Sequence, residues 1–248
     1  MDLPLLVFVL SFVTLWLSAQ VGALLRCKLR SLENDERDDL GVVVAATLTL
    51  LGLIIGFSFS MSISRYDQRK DYEEAEANAI GTEYLRAELL PANDAPRIRE
   101  LLKKYLDQRV LYYETRRPDA LERINADTAQ LQTELWSSVR TAASQSTPTV
   151  ALAVSGMNDV LNSQGYTEAA WRNRLPLAAW GLMITIAAFS NLLVGFGAHR
   201  AGTALFLILP LAVSISFLLI ADIDSPRGGL IRVLPHNLET LSQFLPKQ

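Results

Sequence analysis

Thr49, Leu53, Phe57, Ser60 and Ser64 share one side of a helix, and Asp67, Asp71, Glu74 and Asn78 extend that side, because an α-helix turns about 100° per residue. Read in order, the side passes from polar to bulky apolar, then to hydroxyl, then to acid. Copies of such a helix around an axis would place an apolar constriction at Leu53 and Phe57 and hydroxyl rings at Ser60 and Ser64. Carboxylate rings would follow at Asp67, Asp71 and Glu74. A gate that can dewet, polar rings that replace hydration and charged rings that choose sign are the parts of an ion pathway. The plainer reading is that this side faces its own bundle and ends in a solvated acidic surface. Ser58 and Ser62 fall on the opposite side, where small residues let a neighbouring helix come close in a membrane. Arg65 and Arg69 also point away from the acidic stripe.

The rest of the chain must hold that helix, and its composition says in what medium. Of 248 residues, 50% are apolar and only 20% charged, and the mean hydropathy is +0.21, which is the signature of a membrane protein. Four runs without Asp, Glu, Lys, Arg or His are long enough to cross a hydrocarbon core of about 30 Å, which takes about 20 helical residues. They are Leu3 to Leu25, Leu40 to Ile63, Leu175 to Ala198 and Ala201 to Ala221. The first ends in LSAQV, faintly like a cleavage site. Its apolar length and the acidic Asp2, where a signal peptide carries basic residues, make it a membrane helix instead. The four spans pair as two hairpins, residues 1–64 and 175–222, around a soluble insert, residues 65–174, with a C-terminal tail over 223–248.

The insert has helical periodicity and no strand alternation to compete with it. Ile98, Leu101, Leu102, Tyr105, Leu106, Val110 and Tyr113 share a face. Asp94 and Pro96 can start that helix, and Arg117-Pro118 separates it from the next, Leu121 to Val139. Thr147-Pro148 supplies an N-cap and first-turn pair for another helix, which Gly165 can end. Leu90-Pro91 ends the long helix that leaves the second span, because proline disfavours helical geometry in the residue before it. The polar stretches SLENDERDD and STPT are read as loops. Trp16, Trp171 and Trp180 are expected in interfacial or packing positions.

Several function classes are excluded. With a net charge of −3 and no basic stripe interleaved with aromatics, nucleic acid is not an expected partner. Cys27 is the single cysteine, so no intrachain disulfide forms, and two histidines, His199 and His236, give no metal-ligand spacing. No metal and no cofactor are expected. There is neither a phosphate loop nor a nucleophile elbow, and the scattered acids of the insert form no catalytic constellation, so the chain is not expected to be an enzyme. Uncharged spans also argue against a proton-coupled transporter. Basic residues near the spans number seven on the insert side (Arg65, Arg69, Lys70, Arg172, Arg174, Arg227, Arg232) and five on the hairpin side (Arg26, Lys28, Arg30, Arg37, Arg200). That excess leans toward a cytoplasmic insert and termini, although the first span alone points the other way.

The stretch LLGLIIGFSFSMSISRYDQRKDYEEAEANAIGTEYLRAELLP resembles the bestrophin-like membrane proteins of bacteria and, less closely, the bestrophin channels. The resemblance rests on an apolar second span ending in Gly56-Phe57, on Arg65-Tyr66 eight residues later, and on the polar helix beyond. It implies pentameric ion channels of the inner membrane, with four spans per subunit and cytosolic termini. It also implies a narrow neck lined by the second span at Thr49, Leu53 and Phe57, the residues that the helical geometry selects independently. Thr49 departs from the pattern, being polar where the family is apolar. The acidic cluster that binds calcium in animal members has no placed counterpart, so no calcium site is carried over.

The expectation is therefore an all-α membrane protein with a helical cytosolic insert, forming a homo-oligomer in the lipid bilayer, a pentamer if the resemblance extends to assembly. It would pass monovalent ions, with cations slightly favoured. The alternative is a membrane-anchored helical interaction module that conducts nothing.

Overall fold

A computed structural model describes residues 3–28, 34–142, 148–198 and 205–246. It is helical, with no strand among the described residues. The helices are α1 (Pro4–Lys28), α2 (Asn34–Arg86), α3 (Ala95–Glu114), α4 (Pro118–Ala142), α5 (Pro148–Arg172), α6 (Leu177–Gly197), α7 (Leu205–Asp224) and α8 (His236–Phe244), with a 3₁₀ turn at Ala87–Leu89. Four helices are long and apolar enough to cross a membrane. The chain divides into two compact units, Met1–Arg65 with Arg174–Arg232, and Tyr66–Asn173 with Val233–Gln248. The stretch expected as a tail over 223–248 is thus shared between them.

The first unit holds α1, the apolar part of α2, α6 and α7. Leu15, Leu51, Trp180, Met183, Ala187, Val213, Phe217 and Ile220 form its core, with Trp180 and Phe217 edge to face at 6.0 Å between centroids. Backbone meets backbone where α1 crosses α6. A Cβ on Gly22 would lie 2.0 Å from the Leu192 carbonyl oxygen, and one on Gly195 would lie 2.0 Å from that of Ala19. Lipid is as apolar as leucine, so helices in a membrane gain from such close packing rather than from apolar burial. Arg26 then donates to the carbonyls of Phe196 and Gly197 at 3.2 and 2.9 Å, covering groups that the end of α6 leaves open. Pro210 sits inside α7, a position that membrane helices tolerate.

The second unit holds the polar part of α2 with α3, α4, α5 and α8. Ile80, Ile98, Leu102, Tyr105, Leu106, Leu135, Met157, Val160 and Leu238 are among its buried core. The apolar face expected on α3 is the buried one, except that Val110 is only partly covered. Trp171 packs on Tyr112 and Tyr113, each at 5.3 Å between centroids.

Three local expectations need correction. Gly165 does not end α5, which continues to Arg172. Nothing lies within 4 Å of a Cβ at Gly165, and beyond it Thr167, Ala170 and Trp171 are buried, so packing after the glycine outweighs its poor helix propensity of about 1 kcal/mol. SLENDERDD is not wholly a loop, because α2 already includes Asn34–Asp39. Asp35 and Glu36 lie in its first turn, where the helix dipole favours negative charge. In STPT, Pro148 and Thr149 belong to α5. Leu90 does leave helical geometry before Pro91, with φ −85° and ψ 162°. Thr147, His199 and Arg200 lie outside the described residues.

Candidate ion pathway

Every residue of the predicted stripe sits on α2, whose apolar part carries no charged side chain between Asp39 and Arg65 and therefore suits lipid. Thr49, Leu53, Phe57, Ser60 and Ser64 are exposed in the first unit, with Leu53 at 53% and Phe57 at 64%. Asp67, Asp71, Glu74 and Asn78 are exposed in the second. At about 1.5 Å of rise per residue, Leu53 and Phe57 stand about 6 Å apart along the axis and Ser64 about 10 Å beyond Phe57. The Thr49 hydroxyl donates to the Ala45 carbonyl at 2.8 Å, so its hydrogen is engaged within the helix. The polar departure at this position is thereby softened.

The opposite side of α2 is the one its own chain covers. Leu51, Ser58 and Ser62 are buried in the first unit, Ser62 completely, and the Ser62 hydroxyl donates to the Ser58 carbonyl at 3.0 Å. In the second unit the buried series is Arg69, Glu73, Glu76, Ile80 and Glu83. The steps between these positions are three, four or seven residues, the spacing of a helical seam.

Sequence reasoning missed the charges on that seam. The Glu76 carboxylate pairs with the Arg109 guanidinium and accepts from the Tyr113 hydroxyl at 3.2 Å and the Thr167 hydroxyl at 3.1 Å. Arg109 also lies 4.3 Å from the Tyr112 ring centroid, a cation–π distance. Burial works to discharge Arg109, but Glu76 outweighs it and holds the guanidinium charged. Burial first, and then the Glu76 charge, push the Tyr113 phenol well above its ordinary range, so it remains a donor. Glu73 accepts from the Asn237 backbone at 2.9 Å, the Asn237 side chain at 2.6 Å and the Leu238 backbone at 3.0 Å. It thereby satisfies the first turn of α8 and suits its dipole. Extending the Ser58–Ser62 seam by helical steps would have pointed to Glu73 and Glu76.

Two further acids lie at the end of α7. Asp222 accepts from the Leu230 backbone at 2.8 Å and the Ile231 backbone at 2.8 Å, folding the loop back over the helix end. Asp224 accepts from the Leu175 backbone at 2.9 Å and stands 3.7 Å from Arg65, so it anchors the chain entering α6. The sequence signal was ADIDSPRGG, acids directly after an apolar run and before turn residues. These carboxylates are occupied by backbone donors. Among the described residues, no group of three His, Cys, Asp or Glu side chains could hold a metal ion.

Apolar helices, a separately packed helical unit and a second span bare along one side define the architecture of an all-helical membrane protein. The chain belongs to the bestrophin-like family, whose domain matches residues 6–238. The resemblance read from the second span is thus borne out. A crystal structure of a bacterial bestrophin homologue from Klebsiella pneumoniae is similar over 96% of this chain and 99% of that one, with a TM-score of 0.62 and 17% identity. A variant of a Klebsiella pneumoniae homologue is similar over 95% and 96%, with a TM-score of 0.64 and 15% identity. At such identities the likeness concerns the fold. No curated protein matches the chain.

Proposed function

We propose that the protein is an oligomeric ion channel of the bacterial inner membrane. Its pore runs along a symmetry axis to which each copy of α2 presents the side bearing Thr49, Leu53 and Phe57. The observation that carries this reading is the contrast between the two sides of α2, one buried at Ser58 and Ser62 and the other exposed from Thr49 to Glu74. Apolar rings make the neck at Leu53 and Phe57. Ser60 and Ser64 offer hydroxyls to a dehydrating ion, and Asp67, Asp71 and Glu74 set the sign of the field. Partly desolvated carboxylate rings attract cations and repel anions by several kT, so monovalent cations are favoured. The assembly is a pentamer, the spans pair as two hairpins, and the termini with the insert lie in the cytoplasm, as the excess of basic residues on that side supports.

Planar bilayer recordings of the purified protein in asymmetric salt test this reading. The reversal potential is expected to follow the cation gradient; one that follows the anion gradient reverses the assigned sign, and absence of current removes the pore. Phe57→Ala is expected to widen the neck and raise the unitary conductance severalfold, and an unchanged conductance removes Phe57 from it.

A further inference from the structure

Three glutamates of α2 are buried in the helical unit, and they are treated differently. Glu73 is met by donors of α8, and Glu76 by Arg109, Tyr113 and Thr167. Glu83 is fully buried, yet neither of its carboxylate oxygens has a hydrogen-bond partner. An ionised carboxylate in such a place carries a desolvation cost that no hydrogen bond offsets, and a neutral acid largely avoids it. The space it occupies is built for it by α5. A Cβ on Gly156 would lie 2.0 Å from the Glu83 Oε2 and 2.5 Å from an Arg86 terminal nitrogen, so α5 sits directly over this carboxylate at its glycine.

We propose that Glu83 is a proton-binding site coupled to the seating of α5, which closes over the neutral acid at Gly156 and loosens when the proton leaves. This site is independent of the conduction pathway, since Glu83 lies on the buried side of α2.

Two charged groups act on it. Arg86, on its own helix, favours the ionised form, and Asp159, one turn beyond Gly156 on α5, opposes it. Glu88, on the following 3₁₀ turn, is turned instead to Arg99 of α3. Burial is the largest influence and Asp159 adds to it, and against Arg86 they raise the Glu83 pKa from 4.5 to about 8. A pKa raised on folding means that the proton stabilises the closed form. The contribution is complete below the unfolded value of 4.5 and is lost as pH rises toward and through 8.

Hydrogen exchange of α5 amides in the full-length detergent-solubilised protein, corrected for intrinsic rates at each pH, reads the opening directly. Wild-type protection is expected to fall between about pH 5 and 8, by up to about tenfold per pH unit for one proton, and to level off above about 8. Glu83→Gln, an amide of the same shape as the neutral acid, is expected to keep its protection flat across that range. A wild-type profile that is flat, or a variant profile with the wild-type slope, overturns the proposal. If the amide variant fails to fold, Asp159→Asn decides: removing the like charge is expected to move the levelling-off to lower pH, and an unmoved profile counts against the site.

Discussion

The two units solve the same problem, packing helices against one another, with opposite materials. In the membrane unit α1 and α6 touch through glycine and alanine backbone at Gly22, Gly195 and Ala19, and its charged groups Arg65, Asp222 and Asp224 lie at the ends of spans. In the helical unit the core accepts Glu73, Glu76, Glu83, Arg69 and Arg109 beside its aromatics. The difference follows from solvent. In water, burying a large apolar side chain contributes about 1.5–3 kcal/mol, enough to carry an ion pair whose desolvation is costly. In lipid that driving force between helices is missing, so close approach must supply the stability.

The contrast is broken most severely at the helix crossing. Gly22→Val is expected to cost more than about 3 kcal/mol, because a side chain there meets backbone that cannot move aside. The matched Gly41→Ala, with no atom within 4 Å of the new Cβ, should change stability by less than about 1 kcal/mol. Thermal unfolding of the solubilised protein compares them, and equal melting temperatures would refute the crossing as the membrane unit's main contact. In the helical unit, Arg109→Met leaves Glu76 buried without its cation and is expected to cost about 3–5 kcal/mol, much of which a second change, Glu76→Leu, restores. A loss below about 1 kcal/mol for the single change shows that the pair is not what closes this core. The smallest effect sharpens the same point. Gly165→Ala on α5, where there is open space, should raise stability by about 0.5–1 kcal/mol, and a loss there means that the glycine serves packing after all.

Sequence legibility followed the same divide. Uncharged runs reveal spans because lipid forbids the exceptions, and Leu40 to Ile63 lies within α2 as expected. The stripe from Thr49 to Glu74 was legible as angle alone, since one helix fixes its own side-chain directions. Which side its chain covers was not. Arg109 shows why: it falls on the apolar face of α3, between Leu106 and Tyr113, but an arginine in a soluble helix ordinarily signifies solvent. Only the arrival of Glu76 from a helix 33 residues away explains its burial. Gly165 misled for a related reason, because propensity is local and the packing of Trp171 is not.

The docking of α8 on Glu73 spans 165 residues of chain. Leu238 is wholly buried, so the helical unit is complete only when α8 arrives, which follows α6 and α7 in the chain. Until then Glu73 lacks its α8 donors and a place in the core stands open. Assembly of this unit therefore reports that synthesis has passed α6 and α7, and a polypeptide shortened before His236 would be marked as unfinished by its own exposed interior.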